Sequence, residues 1–300
     1  MAAFAALSPP VRAALLMLLG SATVGAMNCT IRILAADLHP FEIAFFRNLF
    51  GLLVMLPLLG AGLGALRSRR LGFIALSSIG HVISMLTYFT AVVYLPIAEV
   101  TALAFTKPLF ATIGAALVLR EVVRARRWSA IAIGFLGVII VMRPGVETVS
   151  PYAGLVLLSS LSIAVVALMI KRLTLTESAT TIVLSQSLFM TLYTVPFAAA
   201  TWVTPGLFEL VLLALTGAFG TVGWLCFTRA FALVDASAAM PFEFSKLPFA
   251  ALFAWLLFAE VPTIWTWLGG AVIFASTFYI AQREARVAQT RVAASPVPAP

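Results

Sequence analysis

The sequence matches itself when it is shifted by 139 residues without a gap (246 − 107 = 139). The shift places Lys107 on Lys246, and each lysine lies near the middle of an apolar stretch of about 22 residues. Further matched pairs are Pro57 and Pro196, Phe105 and Phe244, Phe110 and Phe249, Glu121 and Glu260, Trp128 and Trp267, and Leu49-Phe50 and Leu188-Phe189. A duplicated apolar unit is typical of secondary transporters, whose substrate site lies at the repeat interface near the bilayer midplane.

The composition indicates a chain that is embedded in a lipid bilayer. Hydrophobic residues make up 62% of the sequence, charged residues 10%, and the mean hydropathy is +1.09, whereas soluble domains have about 45–50% apolar and about 25% charged residues. Cys29 and Cys226 both fall in apolar stretches, so no disulfide framework is expected. The first apolar stretch is longer than a typical signal peptide core, and we interpret it as a retained span.

The apolar stretches and the breakers between them predict an all-α integral membrane protein with ten transmembrane helices, five in each copy. We expect a first five-helix repeat over residues 11–143, a second over residues 151–283, and a disordered cytoplasmic tail over residues 284–300. The predicted spans are Val11–Leu34, Phe41–Leu59, Leu71–Tyr94, Ile97–Leu119, Trp128–Met142, Tyr152–Ile170, Ala179–Val203, Leu207–Val234, Ser237–Phe258 and Thr263–Ala281.

The basic residues predict the orientation of these spans. Of the 19 lysines and arginines, 13 fall on one side: Arg12, Arg67, Arg69, Arg70, Arg120, Arg124, Arg126, Arg127, Lys171, Arg172, Arg283, Arg286 and Arg291. Only Arg32 and Arg143 fall on the other side. Because basic loops stay in the cytoplasm, both termini should be cytoplasmic, and the net charge of +8 reflects topology rather than nucleic-acid binding. Since five is odd, the second repeat must be inverted relative to the first.

Four cations fall inside the spans, where a central charge costs at least about 2.5–3.5 kcal/mol. They are Arg47, Lys107, Arg229 and Lys246. Arg229 lies near a span end, so it can reach the interface along its own stem. For Arg47, either an ion pair with Glu42 or Glu99 or a contact with substrate would offset this cost.

Lys107 and Lys246 are each about ten residues, or roughly 15 Å of helix, from either surface, so we expect both to point inward. Pro108 and Pro248 lie beside them and predict kinked helices with free carbonyl groups. The lysines are candidate substrate ligands, but they are also candidates for hydrogen bonds that lock the bundle. Glu243, three residues before Lys246, is a candidate ion-pair partner, proton carrier or cation contact.

Further polar and aromatic residues in the spans are candidates for lining a cavity. His81 falls at mid-span, where a histidine serves either as a proton relay or as a packed structural group. Asn28 and Gln186 are also either cavity groups or helix-to-helix hydrogen bonders. Glycines at a spacing of three, Gly217, Gly220 and Gly223, predict close helix packing rather than a dimer contact. Candidate ring contacts with an apolar part of a substrate are Tyr88, Phe105 and Trp224.

The sequence contains no motif for catalysis, nucleotide hydrolysis or metal binding. It has no paired histidine at metal spacing, no glycine-rich phosphate loop and no nucleophile elbow. We therefore expect neither an enzyme nor a cofactor, and we expect gradients to supply the work unless a partner subunit supplies ATP.

Several segments resemble an EamA-type domain of the drug/metabolite transporter superfamily. In the first copy they are Gly25, Ile31-Arg32, Pro40-Phe41, Ala44–Arg47, Tyr88–Ala91, Leu95-Pro96, Glu99, Lys107–Ala111, Leu119–Glu121 and Trp128–Gly137, and in the second Phe227, Lys246, Glu260 and Trp267–Gly270. The resemblance covers residues 11–283 and implies two inverted repeats around a central cavity. It implies that Glu121 and Glu260 shape helix ends. The second copy has Gln186 where the first has Arg47.

The resemblance and the charge pattern together predict a function. Similar proteins export amino acids or move drugs, nucleosides and other metabolites. Because the candidate site holds more cations than anions, we expect a carboxylate-bearing small molecule as substrate. The leading hypothesis is an inner-membrane exporter of amino acids or related metabolites that works by alternating access as a monomer, with a dimer as the alternative state. The alternatives are efflux of cationic or lipophilic drugs and a non-transporting membrane partner or lipid-carrier flippase accessory.

Overall fold

The computed structural model describes residues 8–55, 68–118, 125–143, 150–173, 175–177, 179–233 and 240–293, and this part of the chain is almost wholly helical. The helices are α1 (Pro9–Leu34), α2 (Pro40–Met55), α3 (Leu71–Tyr94), α4 (Ile97–Ala104), α5 (Lys107–Val118), α6 (Ala125–Met142), α7 (Pro151–Leu173), α8 (Ala179–Ala200), α9 (Leu207–Leu233), a 3-10 helix (Met240–Ser245), α10 (Lys246–Phe258) and α11 (Ile264–Ala293). Helices α4 and α5 together form the fourth span, and the 3-10 helix and α10 form the ninth. The predicted architecture of ten helical spans is confirmed.

The helices have the length and the surface of membrane spans. Six segments are long and apolar enough to cross a bilayer: Pro9–Leu34, Leu71–Tyr94, Ile97–Gly114, Pro151–Ile170, Thr181–Ala200 and Leu207–Ala230. Two shorter apolar helices cover Trp128–Met142 and Ile264–Ile280. Large apolar side chains stand outward at helical spacing, for example Leu76, Ile79 and Ile83 on α3. In water such a belt would be an aggregation site, whereas in a bilayer it faces lipid chains.

The two copies interlock rather than standing side by side. The most extensive helix contacts join α1 to α9, α6 to α11, and α3 to α7, so each of them crosses from one copy to the other. The contacts also repeat by symmetry. The contact between the first and eighth spans corresponds to the contact between the sixth and third spans. In the same way, the contact between the fourth and sixth spans corresponds to the contact between the ninth and first spans. A cavity at the centre of this arrangement is therefore lined by both copies.

Glycines allow the closest helix contacts. A Cβ atom on Gly217 would lie 2.7 Å from Cβ of Phe50, and one on Gly223 would lie 2.9 Å from Oγ1 of Thr23. The predicted role of these glycines in helix packing within the chain is confirmed. The tightest crossing joins α6 and α11, where a Cβ atom on Gly269 would lie 2.6 Å from the carbonyl oxygen of Gly137.

Replacing Gly269 with alanine is expected to destabilise the protein, because the new methyl group meets backbone atoms that cannot rotate away. Overpacking of this kind costs about 1–3 kcal/mol, which corresponds to a fall of about 2–5 °C in Tm for a chain of this length. Gly154→Ala is the matched control, because no atom lies within 4 Å of its added Cβ position. Thermal unfolding in detergent tests the prediction, and equal melting of the two variants would contradict it.

The last helix differs from the expectation of a disordered tail over residues 284–300. Helix α11 continues to Ala293, ten residues beyond the predicted end of the second repeat. Residues 284–293 are mainly alanine, arginine, glutamate and glutamine, which favour helix, and they extend a helix that is already nucleated in the membrane. Residues 294–300 lie outside the described part of the chain.

Candidate functional site

A cavity of about 520 Å³ lies among the helices of both copies. Pockets of roughly 300–1,000 Å³ hold ligands up to the size of a drug molecule. All ten candidate site residues line this cavity: Asn28, Arg47, His81, Tyr88, Phe105, Lys107, Gln186, Trp224, Glu243 and Lys246. The structure therefore brings every predicted site residue to one place.

The two equivalent lysines occupy equivalent positions at breaks in their spans. Lys107 is the first residue of α5, and Lys246 is the first residue of α10. Before Lys107 the backbone tightens, since the N–H groups of Phe105 and Thr106 donate to carbonyls three residues earlier. Pro108 has no N–H group for the carbonyl of Ala104, and this helps to end α4. Each ammonium group thus lies at a helix N-terminus, where the helix dipole adds further positive potential.

Phe105 and Phe244 mark the position of the pseudo-twofold axis. They are equivalent under the 139-residue shift, and their rings stack on each other with centroids 5.8 Å apart. Lys107 and Lys246 each follow two residues later in the chain. The lysines therefore lie on either side of the axis, close to the centre of the two-repeat structure. Lys107 is also within electrostatic range of Lys246 and Glu243.

The environments of the two lysines differ. The ammonium nitrogen of Lys246 lies 3.1 Å from Oε1 of Glu243, so the predicted ion pair is confirmed. The same ammonium lies 4.3 Å from the ring centroid of Phe227. Lys107 contacts the ring of Tyr88, with Nζ 5.5 Å from its centroid, and makes no hydrogen bond or ion pair with any described residue. Lys107 is therefore the cation whose charge remains available to a ligand.

Arg47 also faces the cavity without a carboxylate partner in the described structure. Its Nη1 donates to Oδ1 of Asn48 at 3.1 Å. The guanidinium lies against Gly220, where an added Cβ atom would be 2.8 Å from Nη2. Of its two candidate partners, Glu42 instead accepts a hydrogen bond from the backbone N–H of Val203 at 3.2 Å. With Arg47, Lys107 and Lys246 against Glu243, the lining has a formal charge of 3 − 1 = +2 when His81 is neutral.

Some of the remaining predicted residues form hydrogen bonds between helices, and others only line the cavity. Asn28 Nδ2 donates to the hydroxyl of Tyr88 at 3.1 Å, and Gln186 Nε2 donates to Ser77 at 2.9 Å. Both amides therefore join helices while they line the cavity. Trp224 is 43% exposed and lies at the cavity edge. His81 lies within electrostatic range of Arg47 and Lys107.

Several lining residues were not predicted from the sequence. Asn48 follows Arg47 and fixes its guanidinium. Ser84 shares one face of α3 with His81 and Tyr88, at spacings of three and four, and this periodic polar stripe is a signal that would have identified it. Ser159 of α7 hydrogen-bonds Ser84 across the cavity wall at 2.9 Å between the two Oγ atoms. Other unpredicted lining residues are Thr101, Met190, Thr221, Phe274, Thr277 and Phe278.

A second cluster joins three helical spans at one end of the bundle, and we call it the Arg32 cluster. It consists of Arg32, Glu260, Phe258 and the carbonyl groups of Val92 and Leu95. The guanidinium of Arg32 forms an ion pair with Glu260, donates to both carbonyls and lies 5.6 Å from the ring centroid of Phe258. Oε2 of Glu260 accepts the N–H of Ile97 at 3.2 Å, as expected for a residue that shapes helix ends. Glu121, its equivalent, lies outside the described residues.

Comparison with known proteins identifies the family of this two-repeat structure. The EamA-like transporter family matches the chain twice, over residues 11–143 and again over residues 150–282. This chain belongs to the EamA-like transporter family. The resemblance inferred from the sequence is therefore confirmed, and the chain is a transporter of the EamA family.

Curated EamA relatives have different named substrates. The S-adenosylmethionine uptake transporter of Rickettsia bellii is 29% identical over 276 residues, covering 92% of this chain and 95% of that protein. The riboflavin transporter of Vibrio cholerae is 32% identical over 284 residues, covering 92% and 95%. The pseudopaline exporter of Pseudomonas aeruginosa is 29% identical over 262 residues, covering 86% and 92%. One crystal structure shares the EamA fold of this chain, with a TM-score of 0.60 at 17% identity, covering 91% of this chain and 98% of the other.

Proposed function

We propose that this EamA protein is a secondary transporter of amino acids or amino-acid-derived metabolites, which carry a carboxylate. One observation carries the proposal. Two equivalent lysines begin two half-helices in one cavity, and Lys107 has no anionic partner among the described residues. Half-helix N-termini at the midplane are the usual position for an anionic substrate group in transporters with repeats. The net positive lining attracts a carboxylate and repels a cation.

The size of the cavity favours the larger members of this substrate class. A space of about 520 Å³ exceeds what a small free amino acid fills, and it is lined by several aromatic rings. S-adenosylmethionine, the substrate named for one group of relatives, joins an amino-acid head to a planar ring system, but its sulfonium centre is a cation, so the positive lining here favours conjugates of the same design without that charge. We propose substrates of this design, an amino-acid head with an attached planar or apolar group.

The charges near the pseudo-twofold axis support transport by alternating access. In the empty cavity the net charge of +2, carried by Arg47 and Lys107 beside the Lys246–Glu243 pair, opposes closure of the half-helices around it. A bound carboxylate offsets this charge and allows the two copies to close around the substrate. Such a carrier runs in either direction along a gradient, which is compatible with relatives named for uptake and for export. We propose that this chain exports, from a bacterial inner membrane, with both termini in the cytoplasm.

The alternatives derive less support from the site. A carrier of cationic drugs needs an available carboxylate, but Glu243 is already paired with Lys246. A non-transporting partner has no use for an unpaired cation in a large cavity, since that charge is costly to keep in a membrane.

A counterflow screen tests the proposal. Purified protein in vesicles is loaded with unlabelled amino acids, amino-acid conjugates of adenosine, dicarboxylates or cationic dyes, and uptake of the matching labelled compound is measured. We expect counterflow with carboxylate-bearing compounds and none with cationic dyes. Counterflow with dyes alone would reject the proposal. Uptake with and without an imposed pH gradient then establishes whether protons are coupled.

Replacing Glu243 with glutamine is expected to strengthen binding of anionic substrates. The substitution releases Lys246 from its ion pair and raises the formal charge of the lining from +2 to +3. An added attraction of about 1 kcal/mol in a hydrated cavity lowers the KM for a carboxylate substrate by about 3- to 10-fold. Glu209→Gln, on α9 and outside the cavity lining, is the control. Complete loss of transport in Glu243→Gln would instead identify Glu243 as a proton carrier or cation contact.

A further inference from the structure

Helix α3 presents a stripe of four polar side chains along one face. Ser77, His81, Ser84 and Tyr88 follow one another at spacings of four, three and four residues, which keeps them on one side of a helix. His81, Ser84 and Tyr88 line the cavity. Polar side chains inside a membrane protein are costly unless they find partners, so the partners of the four indicate what each one does.

Three members of the stripe are bonded to neighbouring helices. Ser77 accepts a hydrogen bond from Gln186 Nε2 at 2.9 Å. Ser84 lies 2.9 Å from Oγ of Ser159, and Tyr88 accepts from Asn28 at 3.1 Å. His81 is the exception, because its Nδ1 is buried and has no hydrogen-bond partner within the described structure. Its neighbours on the stripe hold the bundle together, whereas His81 contributes no such bond through this atom.

Two asparagines that line the cavity also have a buried polar atom without a hydrogen-bond partner in the described structure. Asn48 is 4% exposed, and its Nδ2 is buried without a partner in the described residues. The amide orientation is fixed, because Oδ1 accepts from Arg47 and this leaves Nδ2 as a free donor. Asn28 is 1% exposed, and its Oδ1 is likewise buried and unpaired, while its Nδ2 is used by Tyr88. Three helices thus carry a donor, an acceptor and an imidazole nitrogen, each buried and unpaired within the described structure, on residues that line one cavity.

We propose that Asn48, His81 and Asn28 form a second subsite, which takes a neutral planar group with both hydrogen-bond donors and acceptors, such as an amide or a nitrogen heterocycle. The proposal rests on the proposed function, because the anionic group of the same substrate lies at Lys107. A neutral imidazole can donate or accept at Nδ1, so it suits either edge of such a ring. A cationic group is disfavoured by Arg47, and a second carboxylate is disfavoured by the unpaired oxygen of Asn28.

The geometry sets the length of the substrate. Lys107 lies over the ring of Tyr88, and Tyr88 is seven residues beyond His81 on α3. Seven residues of helix rise about 10 Å. The second subsite therefore extends from Asn28, which is bonded to Tyr88 beside Lys107, to His81 about two helical turns away, so the planar group follows directly on the anionic group with the aromatic lining of the cavity along its faces. A small aliphatic amino acid fills only the anion subsite at Lys107 and leaves the second subsite empty.

Matched ligand pairs test this second subsite. S-adenosylhomocysteine and methionine share a carboxylate and a thioether and differ by the adenosyl group. Riboflavin 5′-phosphate and ribitol 5-phosphate share the phosphate and differ by the flavin ring. Calorimetric titration of the purified full-length protein gives Kd for each compound. We expect at least about 10-fold preference for the ring-bearing member of at least one pair.

His81→Ala is expected to reduce this preference by about 3- to 10-fold, the effect of one lost hydrogen bond, and to leave Kd of the ring-free member unchanged. Asn48→Ala is the second variant, and it should reduce the ring preference to a similar extent, while the release of Arg47 from its bond to Asn48 tightens the binding of both members of each anionic pair. Ser77→Ala is the matched control on the same stripe. It breaks the bond to Gln186, so it should lower Tm and keep the ring preference, whereas His81→Ala should keep Tm and lower the preference.

Three results would overturn the subsite. They are the absence of any ring preference in the wild type, equal weakening of both members of a pair in His81→Ala, and a gain for a dicarboxylate over a monocarboxylate that is lost in Asn48→Ala. The proposed function fails separately. If Lys107→Ala leaves the Kd of every carboxylate and phosphate compound unchanged, the anion subsite is wrong, whatever the ring preference shows.

Discussion

Lys107→Ala is expected to reduce substrate flux by about 10- to 150-fold at substrate concentrations well below KM. Lys107 is the cation in the cavity that has neither a hydrogen bond nor a carboxylate partner within the described structure. A hydrogen bond to a charged group contributes about 1.5–3 kcal/mol, and its loss accounts for the expected range. Neither Lys246 nor Arg47 replaces it, because Glu243 neutralises the first and Asn48 holds the second.

The same substitution is expected to leave the protein as stable as the wild type, or more stable. An unpaired ammonium at mid-membrane costs at least about 2.5–3.5 kcal/mol even on the lenient insertion scale, and alanine removes that cost. Lower flux together with an unchanged or higher Tm distinguishes a ligand-binding residue from a structural one. A fall in Tm would indicate that Lys107 locks the bundle, the other interpretation allowed by the sequence.

Arg229→Ala is the matched control for Lys107→Ala. Arg229 is also a cation within a span, but it is exposed on α9 and does not line the cavity. Flux through Arg229→Ala should remain within about twofold of the wild type, since surface substitutions away from special features have small effects. Uptake of a labelled carboxylate compound into vesicles with equal amounts of protein measures both variants. Equal flux in Lys107→Ala and wild type would reject the role of the lysine.

Much of this fold could be predicted because the relevant signals are local. Continuous apolar runs and their breakers define the spans, and the predicted third span, Leu71–Tyr94, coincides with α3. The prolines next to Lys107 and Lys246 predicted irregular helices, and both spans are broken immediately before the lysine. The predicted site residues converge on one cavity because a bilayer forces polar side chains to turn away from lipid.

The features that the sequence did not predict depend on contacts between residues that are far apart in the sequence. Arg32 and Glu260 are 228 positions apart, and no periodic pattern indicates that they meet. The orientation of Asn48 depends on Arg47, and the position of Arg47 depends on the absence of a side chain at Gly220. Such pairings arise only when the two copies interlock, so an analysis of each span alone cannot find them.

Glu260→Gln is expected to open the end of the bundle that the Arg32 cluster closes. Arg32 and Glu260 join α1 to the end of α10, and the carbonyl bonds of Arg32 add the end of α3. Their side chains are 13% and 27% exposed, so the loss is smaller than the 3–5 kcal/mol of a fully buried pair. A cost of about 1–2 kcal/mol shifts the equilibrium between closed and open forms by about 5- to 30-fold.

Cys29 provides a native reporter of this opening. It lies three residues before Arg32 on α1, is 2% exposed, and packs against Ile97, Ala250 and Ala254. Separation of α1 from α10 would expose its thiol. In a Cys226→Ser background, labelling by a membrane-impermeant maleimide should be about 5- to 30-fold faster in Glu260→Gln than in the parent protein. Arg32→Gln should have a similar effect, and the double variant should add little, since both changes break one contact. Additive effects would show that the two residues act separately.

The sequence repeat predicts a suppressor of Glu260→Gln. The 139-residue shift relates Arg32 to Lys171 and Glu121 to Glu260 (171 − 32 = 139 and 260 − 121 = 139). The inverted repeat predicts from the sequence that the equivalent pair, Lys171 and Glu121, acts at the opposite face, which alternating access requires to close when the Arg32 cluster opens. On this hypothesis an ion pair of Lys171 with Glu121 stabilises the state in which Cys29 is exposed. Adding Glu121→Gln to Glu260→Gln should therefore slow labelling of Cys29 toward the parent rate. Faster labelling in the double variant would show that the two faces are not coupled, and that the Arg32 cluster holds helix ends without taking part in transport.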